Sequence, residues 1–151
     1  MDASERHRIL ELLPQARPFR FVDDLLEIDR DHVLCKYTYR EDEFFYPGHF
    51  PGEPITPGVI LTETMAQAMA LHAMYLLSLD LPPAELAQHR ALLTDAHVEF
   101  RKPVFPGQTV FARSQATAWR RKKLRADVEL RDESDQLLAV GTLSGMGVSR
   151  A

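Results

Sequence analysis

Apolar and polar residues alternate most cleanly near 122–132, where Leu124, Ala126, Val128 and Leu130 interleave with Lys123, Arg125, Asp127, Glu129 and Arg131. A period of two buries one face and wets the other, so the segment is expected to be a strand. Weaker versions of the pattern predict strands at 91–101, 108–119 and 136–148. Two earlier strands are expected at Phe19–Ile28 and His32–Tyr39, joined by the turn Asp29-Arg30-Asp31. Cys35 shares a face with Val33 and Tyr37 and reads as core. In the last segment Gly141, Gly145 and Gly147 fall on one face, where another backbone could come close.

Two segments follow the helical period instead. Residues Ala3–Leu13 carry Ile9, Leu10, Leu12 and Leu13 on one side, which predicts a short amphipathic helix ending before Pro14. From Val59 to Ser78 no Gly or Pro intervenes, and the apolar positions run nearly all the way round. A helix apolar on every side is buried on every side. Thr56 is the expected N-cap, with Pro57 at the first helical position. Asp80–Gln88, with Pro82-Pro83, reads as a linker, and Pro103–Gly107 as a turn. The order predicts an α+β fold, an antiparallel six-stranded sheet wrapped around one long central helix. One helix cannot cover both faces of such a sheet, so a dimer is the expected completion.

Composition narrows this picture. With 151 residues, 45% of them hydrophobic, a single domain over 1–151 is expected to fold without metal or disulfide staples. The lone Cys35 and the lack of a basic start followed by an apolar run suggest a cytoplasmic chain without a signal peptide. The stretch Val59–Leu77 is broken by Thr62, Glu63, Thr64, Gln67 and His72, so no membrane span is expected. The net charge of −4 is uneven: between Arg101 and Arg131, nine Lys or Arg residues face only Asp127 and Glu129. A basic patch on an acidic chain suggests one anionic partner held at one place, and argues against general nucleic-acid affinity.

The segment from Pro47 to Gly58, PGHFPGEPITPG, holds four of the ten prolines and three of the seven glycines. Such a run forms a loop of defined shape, and His49 is its only imidazole. A loop histidine alone serves equally well as a packing group, here against Phe50. What raises the catalytic reading is Glu63, a carboxylate in the second turn of an otherwise apolar helix. Burying it is costly unless it is paired or protonated. Gln67, one turn on, could orient it. An imidazole that titrates near neutrality and a carboxyl raised by burial can share proton transfer. Gly58 adds a backbone N–H at the helix start, suited to developing negative charge.

The run GHFPGEPITPGVILTETMAQ, residues 48–67, resembles the signature of the (3R)-hydroxyacyl-[acyl-carrier-protein] dehydratases of the FabZ type. The likeness extends to Leu13-Pro14, Arg17-Pro18-Phe19 and Val22-Asp23 upstream, and to Phe100–Val104 with Pro106-Gly107 downstream. It implies a hot-dog fold, a dimer and often a trimer of dimers, and dehydration of 3-hydroxyacyl thioesters to trans-2-enoyl thioesters. It also implies His49 and Glu63 as catalytic residues from different subunits, Gly58 as the carbonyl-binding amide and Gln67 as site support. Glutamate rather than aspartate at position 63 points to dehydration without double-bond migration. Glu53, Thr62 and Thr64 depart from the usual pattern and leave the acyl chain and the pathway open, between primary fatty-acid synthesis and a polyketide or polyene route.

Arg120, Arg121, Lys122 and Lys123, with Arg101 and Lys102, are expected to receive an acidic acyl carrier protein and its phosphopantetheine phosphate. No cofactor is expected. His7, His32, His72, His89 and His97 lack ligand spacing, so no metal site is expected either. Two other readings remain at this point: an acyl-thioester hydrolase on the same fold, and a non-catalytic carrier-binding subunit paired with an active paralogue.

Overall fold

Leu124, Ala126, Val128 and Leu130 are fully buried, and the strand they belong to packs against a single long helix. This computed structural model describes residues 1–150. In chain order, helix α1 (Ala3–Leu10) leads to strands β1 (Asp24–Ile28) and β2 (His32–Thr38), then the long helix α2 (Gly58–Asp80). A single-turn helix α3 (Pro83–Leu86) precedes strands β3 (His89–Phe100), β4 (Thr109–Arg120), β5 (Lys123–Asp132) and β6 (Leu137–Ser149). The six strands form one antiparallel sheet in the order β1-β2-β4-β5-β6-β3. Five of them contact α2, which the sheet wraps as the periodicities require.

Every residue of α2 from Thr64 to Met74 is buried, so its lack of a polar face is matched by its surroundings. No described helix is long and apolar enough to cross a membrane. The helix starts at Gly58, one residue later than the expected cap would place it, and its N-cap is Pro57, without a side-chain cap bond. Thr56, expected to cap it, shares a 2.7 Å hydrogen bond with the Tyr46 hydroxyl instead.

Three other expectations shift. Residues 19–22 are not strand, because the Gln67 side chain holds the backbone there: its Oε1 accepts from Phe21 N at 2.7 Å and its Nε2 donates to Phe19 O at 2.9 Å. Lys122 lies in the β4–β5 turn rather than in a strand. Arg121 and Lys122 have φ of 53° and 64°, the double left-handed geometry of a two-residue hairpin loop. The glycine face of β6 serves two purposes. A side chain at Gly141 would strike the backbone of His97, whereas Gly145 and Gly147 leave room for the α2 side chains of Met69 and Leu77.

The two edges of the sheet are unequal. β1 has five residues, whereas β3 has twelve and ends the sheet beside β6. On this edge Leu92, Leu93 and Phe100 are about half exposed, at 53%, 44% and 50%. A long edge with apolar side chains is a ready template for pairing with another strand.

Candidate active site

The loop before α2 folds on its own backbone. Ile55 N donates to His49 O at 2.9 Å, Phe50 and Glu53 exchange backbone bonds at 3.1 and 2.8 Å, and Thr56 N donates to Val104 O at 2.9 Å. Within this frame His49 Nδ1 bonds the Ile55 carbonyl at 2.8 Å. A carbonyl only accepts, so Nδ1 carries the proton and Nε2 is left as the ring's acceptor. The ring stacks on Phe50 with centroids 4.1 Å apart. The packing on Phe50 is therefore met and leaves the catalytic reading of His49 open: one face packs while one nitrogen stays available.

His49, Gly58, Phe100, Arg101 and Lys102 line one cleft of about 390 Å³. Gly58 opens α2, where backbone N–H groups lack intrahelical acceptors. The Phe100 ring lies over it, and a Cβ at this position would sit 3.1 Å from that ring. Glycine is what lets the helix start and the aromatic ring come together.

Glu63 lines a different cavity of about 190 Å³, whose walls include Ala66, Met69, Ala70, Leu92 and Leu93. Burial pushes its carboxyl above the usual range, and the hydrogen bond from Gln67 Nε2 to Oε2, 2.9 Å long, offsets part of that. Gln67 is fully buried and spends its oxygen and its N–H groups on Phe21, Phe19 and Glu63. It thus fixes both the carboxyl and the segment that passes over it. Within one chain His49 and Glu63 open into separate cavities, and strand β3 contributes a wall to each.

The basic residues divide. Arg101 and Lys102 flank the His49 cleft. Arg120, Arg121 and Lys123 surround a shallow dish at the β4–β5 hairpin, together with Arg125, which the sequence reading had not singled out. Lys122 turns away and donates to His89 Nε2 at 2.9 Å. β6 pairs with Phe100 through Ala139 and with Lys123 through Met146. Seven residues of strand therefore separate the two groups, about 23 Å. One chain does not bring them together.

Sequence reading also passed over Gln15, which lines the Glu63 cavity, and two buried hydroxyl pairs. Tyr46 with Thr56 ties the loop to the helix start, and Tyr39 with Thr64, 2.6 Å apart, ties β2's end to the helix beside Glu63. For the second pair the departure at Thr64 was the available signal, since a polar residue in an apolar helix needs a partner. His72 is a core histidine whose Nε2 bonds the Asp29 carbonyl at 2.8 Å, with its imidazole lowered by burial. Among the described residues no three His, Cys, Asp or Glu gather as metal ligands.

The family model described as a FabA-like domain matches residues 13–139. The chain belongs to the FabA-like family. A relative within it, the 3-hydroxyacyl-[acyl-carrier-protein] dehydratase FabZ of Aromatoleum aromaticum, is 36% identical over 151 residues, covering 95% of this chain and 100% of that protein. The bifunctional enzyme LpxC/FabZ of Porphyromonas gingivalis is 38% identical over 104 residues, which span 69% of this chain but 21% of that longer protein. Among solved structures, the dehydratase heterocomplex ApeI:P from Xenorhabdus doucetiae superposes with a TM-score of 0.75 at 18% identity, covering 94% of this chain and 91% of that one. The shared architecture is the hot-dog fold, and the FabA-like match takes in His49, Gly58, Glu63 and Gln67.

Proposed function

We propose that this chain is a 3-hydroxyacyl-[acyl-carrier-protein] dehydratase of fatty-acid or polyketide biosynthesis, a single hot-dog domain over 1–151 acting in the cytoplasm without a cofactor. The observation that carries the mechanism is the His49 Nδ1 bond to Ile55, which leaves Nε2 as a base in the cleft that holds Gly58. The Gly58 N–H polarises the thioester carbonyl and so acidifies C2. His49 Nε2 takes the C2 proton. Glu63, kept protonated to higher pH by burial, gives its proton to the 3-hydroxyl, which leaves as water. A trans-2-enoyl thioester remains.

A base and an acid in separate cavities need a second chain. We infer that two copies pair their β3 edges antiparallel, which covers Leu92, Leu93 and Phe100 and brings His49 of one protomer toward Glu63 of the other. β3 begins at the hairpin end and finishes at Phe100, just before Arg101, so the same pairing would bring one protomer's hairpin toward its partner's Arg101 and Lys102. Arg101, Lys102, Arg120, Arg121, Lys122 and Lys123 then form one basic rim for an acidic carrier protein, although they are apart within a chain.

The test is incubation with a crotonyl thioester on carrier protein or on N-acetylcysteamine, following enoyl absorbance and mass. Loss of absorbance with a gain of one water is the expected result. Release of free thiol would identify a thioester hydrolase instead.

A further inference from the structure

Outside the two cavities of the proposed site, one concavity is built from charge. The dish at the β4–β5 hairpin has a volume of about 450 Å³ and is lined by Arg120, Arg121, Lys123 and Arg125 around Ala118 and Met146. The strand registers put these groups on one face of the sheet. Arg120 lies opposite Lys123 and Lys123 opposite Met146, while Ala118 lies opposite Arg125 in the next row. All four cations are exposed, and among the described residues no carboxylate pairs with any of them. Arg113 and Arg131, on the same two strands, each pair with a glutamate instead. Like charges set directly opposite on a sheet are destabilising. The fold therefore carries this cluster at a cost that a bound anion would remove.

We propose that the dish binds the 3′-phosphoadenosine diphosphate end of a coenzyme A thioester, so that the chain hydrates and dehydrates acyl groups carried on coenzyme A as well as on a carrier protein. The proposal rests on the dehydratase and dimer readings above. A concavity of about 450 Å³ has the size of a small-molecule site. A folded carrier protein offers a convex surface, with a single phosphodiester on its arm. The nucleotide end offers a diphosphate and a 3′-phosphate, about four negative charges, to the four cations. Its flat purine suits the floor, where the Met146 thioether and the guanidinium planes are soft faces for stacking.

Reach selects the cleft that the thioester enters. Within one chain the hairpin and Arg101 are about 23 Å apart. A pantetheine arm spans roughly thirteen bonds from phosphorus to sulfur, about 16 Å when extended, which is too short. Across the paired β3 edges, β5 lies three strand spacings from the partner's β3, about 14 Å. The arm thus runs from the dish of one protomer to the His49 cleft of the other. Chemistry at the thioester is unchanged: water adds across the C2–C3 double bond of an enoyl thioester, or leaves the 3-hydroxyacyl thioester, and nothing else is consumed.

The test compares hydration of crotonyl-coenzyme A with that of crotonyl-N-acetylcysteamine, which has the same reacting atoms and no nucleotide. The expected KM is about tenfold lower for the coenzyme A thioester at similar kcat. Adenosine 3′,5′-bisphosphate should raise that KM and leave the N-acetylcysteamine reaction unchanged. Arg125→Ala should raise the KM for crotonyl-coenzyme A about fivefold, with the N-acetylcysteamine rate kept and a Tm equal to or above wild type, since a like-charge contact is relieved. Equal KM values for the two thioesters, a bisphosphate that slows both alike or neither, or a wild-type KM in Arg125→Ala overturns the proposal. Absence of hydration with both thioesters overturns the dehydratase reading instead. The dish is then judged by calorimetry with the bisphosphate alone: binding that Arg125→Ala weakens sustains it as a nucleotide site, and no binding to the wild-type protein removes it.

Discussion

His49 and Glu63 belong to one proposed reaction but are held in opposite ways. The histidine sits in a loop whose shape is set by backbone hydrogen bonds, and its orientation comes from a single carbonyl, that of Ile55. The glutamate sits in regular helix, and side chains prepare it: Gln67 bonds it while the apolar walls raise its carboxyl. The difference follows from what each must do. A base needs a fixed tautomer and an open nitrogen, which one well-placed acceptor supplies. An acid that must stay protonated near neutrality needs desolvation, which only a packed cavity supplies. Loop and helix are therefore not interchangeable supports, and substitutions in the two should fail differently.

The largest effect is expected at the base. His49→Ala should lower kcat by about 10³-fold or more while leaving the circular dichroism spectrum and Tm unchanged, because the loop is held by backbone rather than by the ring. Glu63→Gln comes next, with a loss of about 10²-fold in kcat. Its stability should move the other way. A carboxyl whose folded pKa is raised stabilises the fold fully below its unfolded pKa, and that contribution is lost as pH rises through the folded value. A neutral amide escapes the loss, so Tm at neutral pH should be unchanged or higher, as a melt at two pH values will show.

Gln67→Leu sharpens the contrast further. Activity that needs protonated Glu63 is lost as pH rises through its raised pKa, and the Gln67 bond is the influence that lowers that pKa. Removing it should shift the alkaline limb of the kcat profile to higher pH. It also orphans Phe21 N and Phe19 O, so the fold should lose about 2 kcal/mol in urea melts. An unmoved limb would mean that Glu63 is not the acid. The smallest effect is expected at Tyr46→Phe, which cuts the tie between loop and helix start. A stability loss of about 1 kcal/mol and a few-fold drop in kcat should follow, with Gly58 and His49 less firmly set against each other.

What could be read from sequence follows the range of the interaction. Helix α2 and strand β5 were legible because their periods are local and their burial is extreme. The link from Glu63 to Gln67 was legible because helix residues four apart are neighbours. The same glutamine's hold on Phe19 and Phe21 was not, since those partners lie 48 and 46 residues away. That hold is also why the first strand starts at Asp24 rather than at Phe19. The hairpin at Arg121-Lys122 was hidden by its residues, because a turn with two positive φ values usually advertises itself with asparagine and glycine. The basic cluster looked single because sequence does not show that β3 pairs with β6 end to end. That pairing sets Arg101 and Lys123 at opposite ends of the sheet. Gln15 gave no signal at all, being an ordinary polar residue in a proline-flanked connector until its oxygen proves buried.

The central claim is that His49 and Glu63 form one dehydration site across two chains. Mixing the inactive His49→Ala and Glu63→Gln proteins, allowing subunit exchange and measuring hydration of a crotonyl thioester tests it most directly. Exchange would create mixed dimers with one intact site each, so recovery to about a quarter of the wild-type rate per chain is expected. A mixture that exchanges subunits and stays as silent as its components would contradict the account.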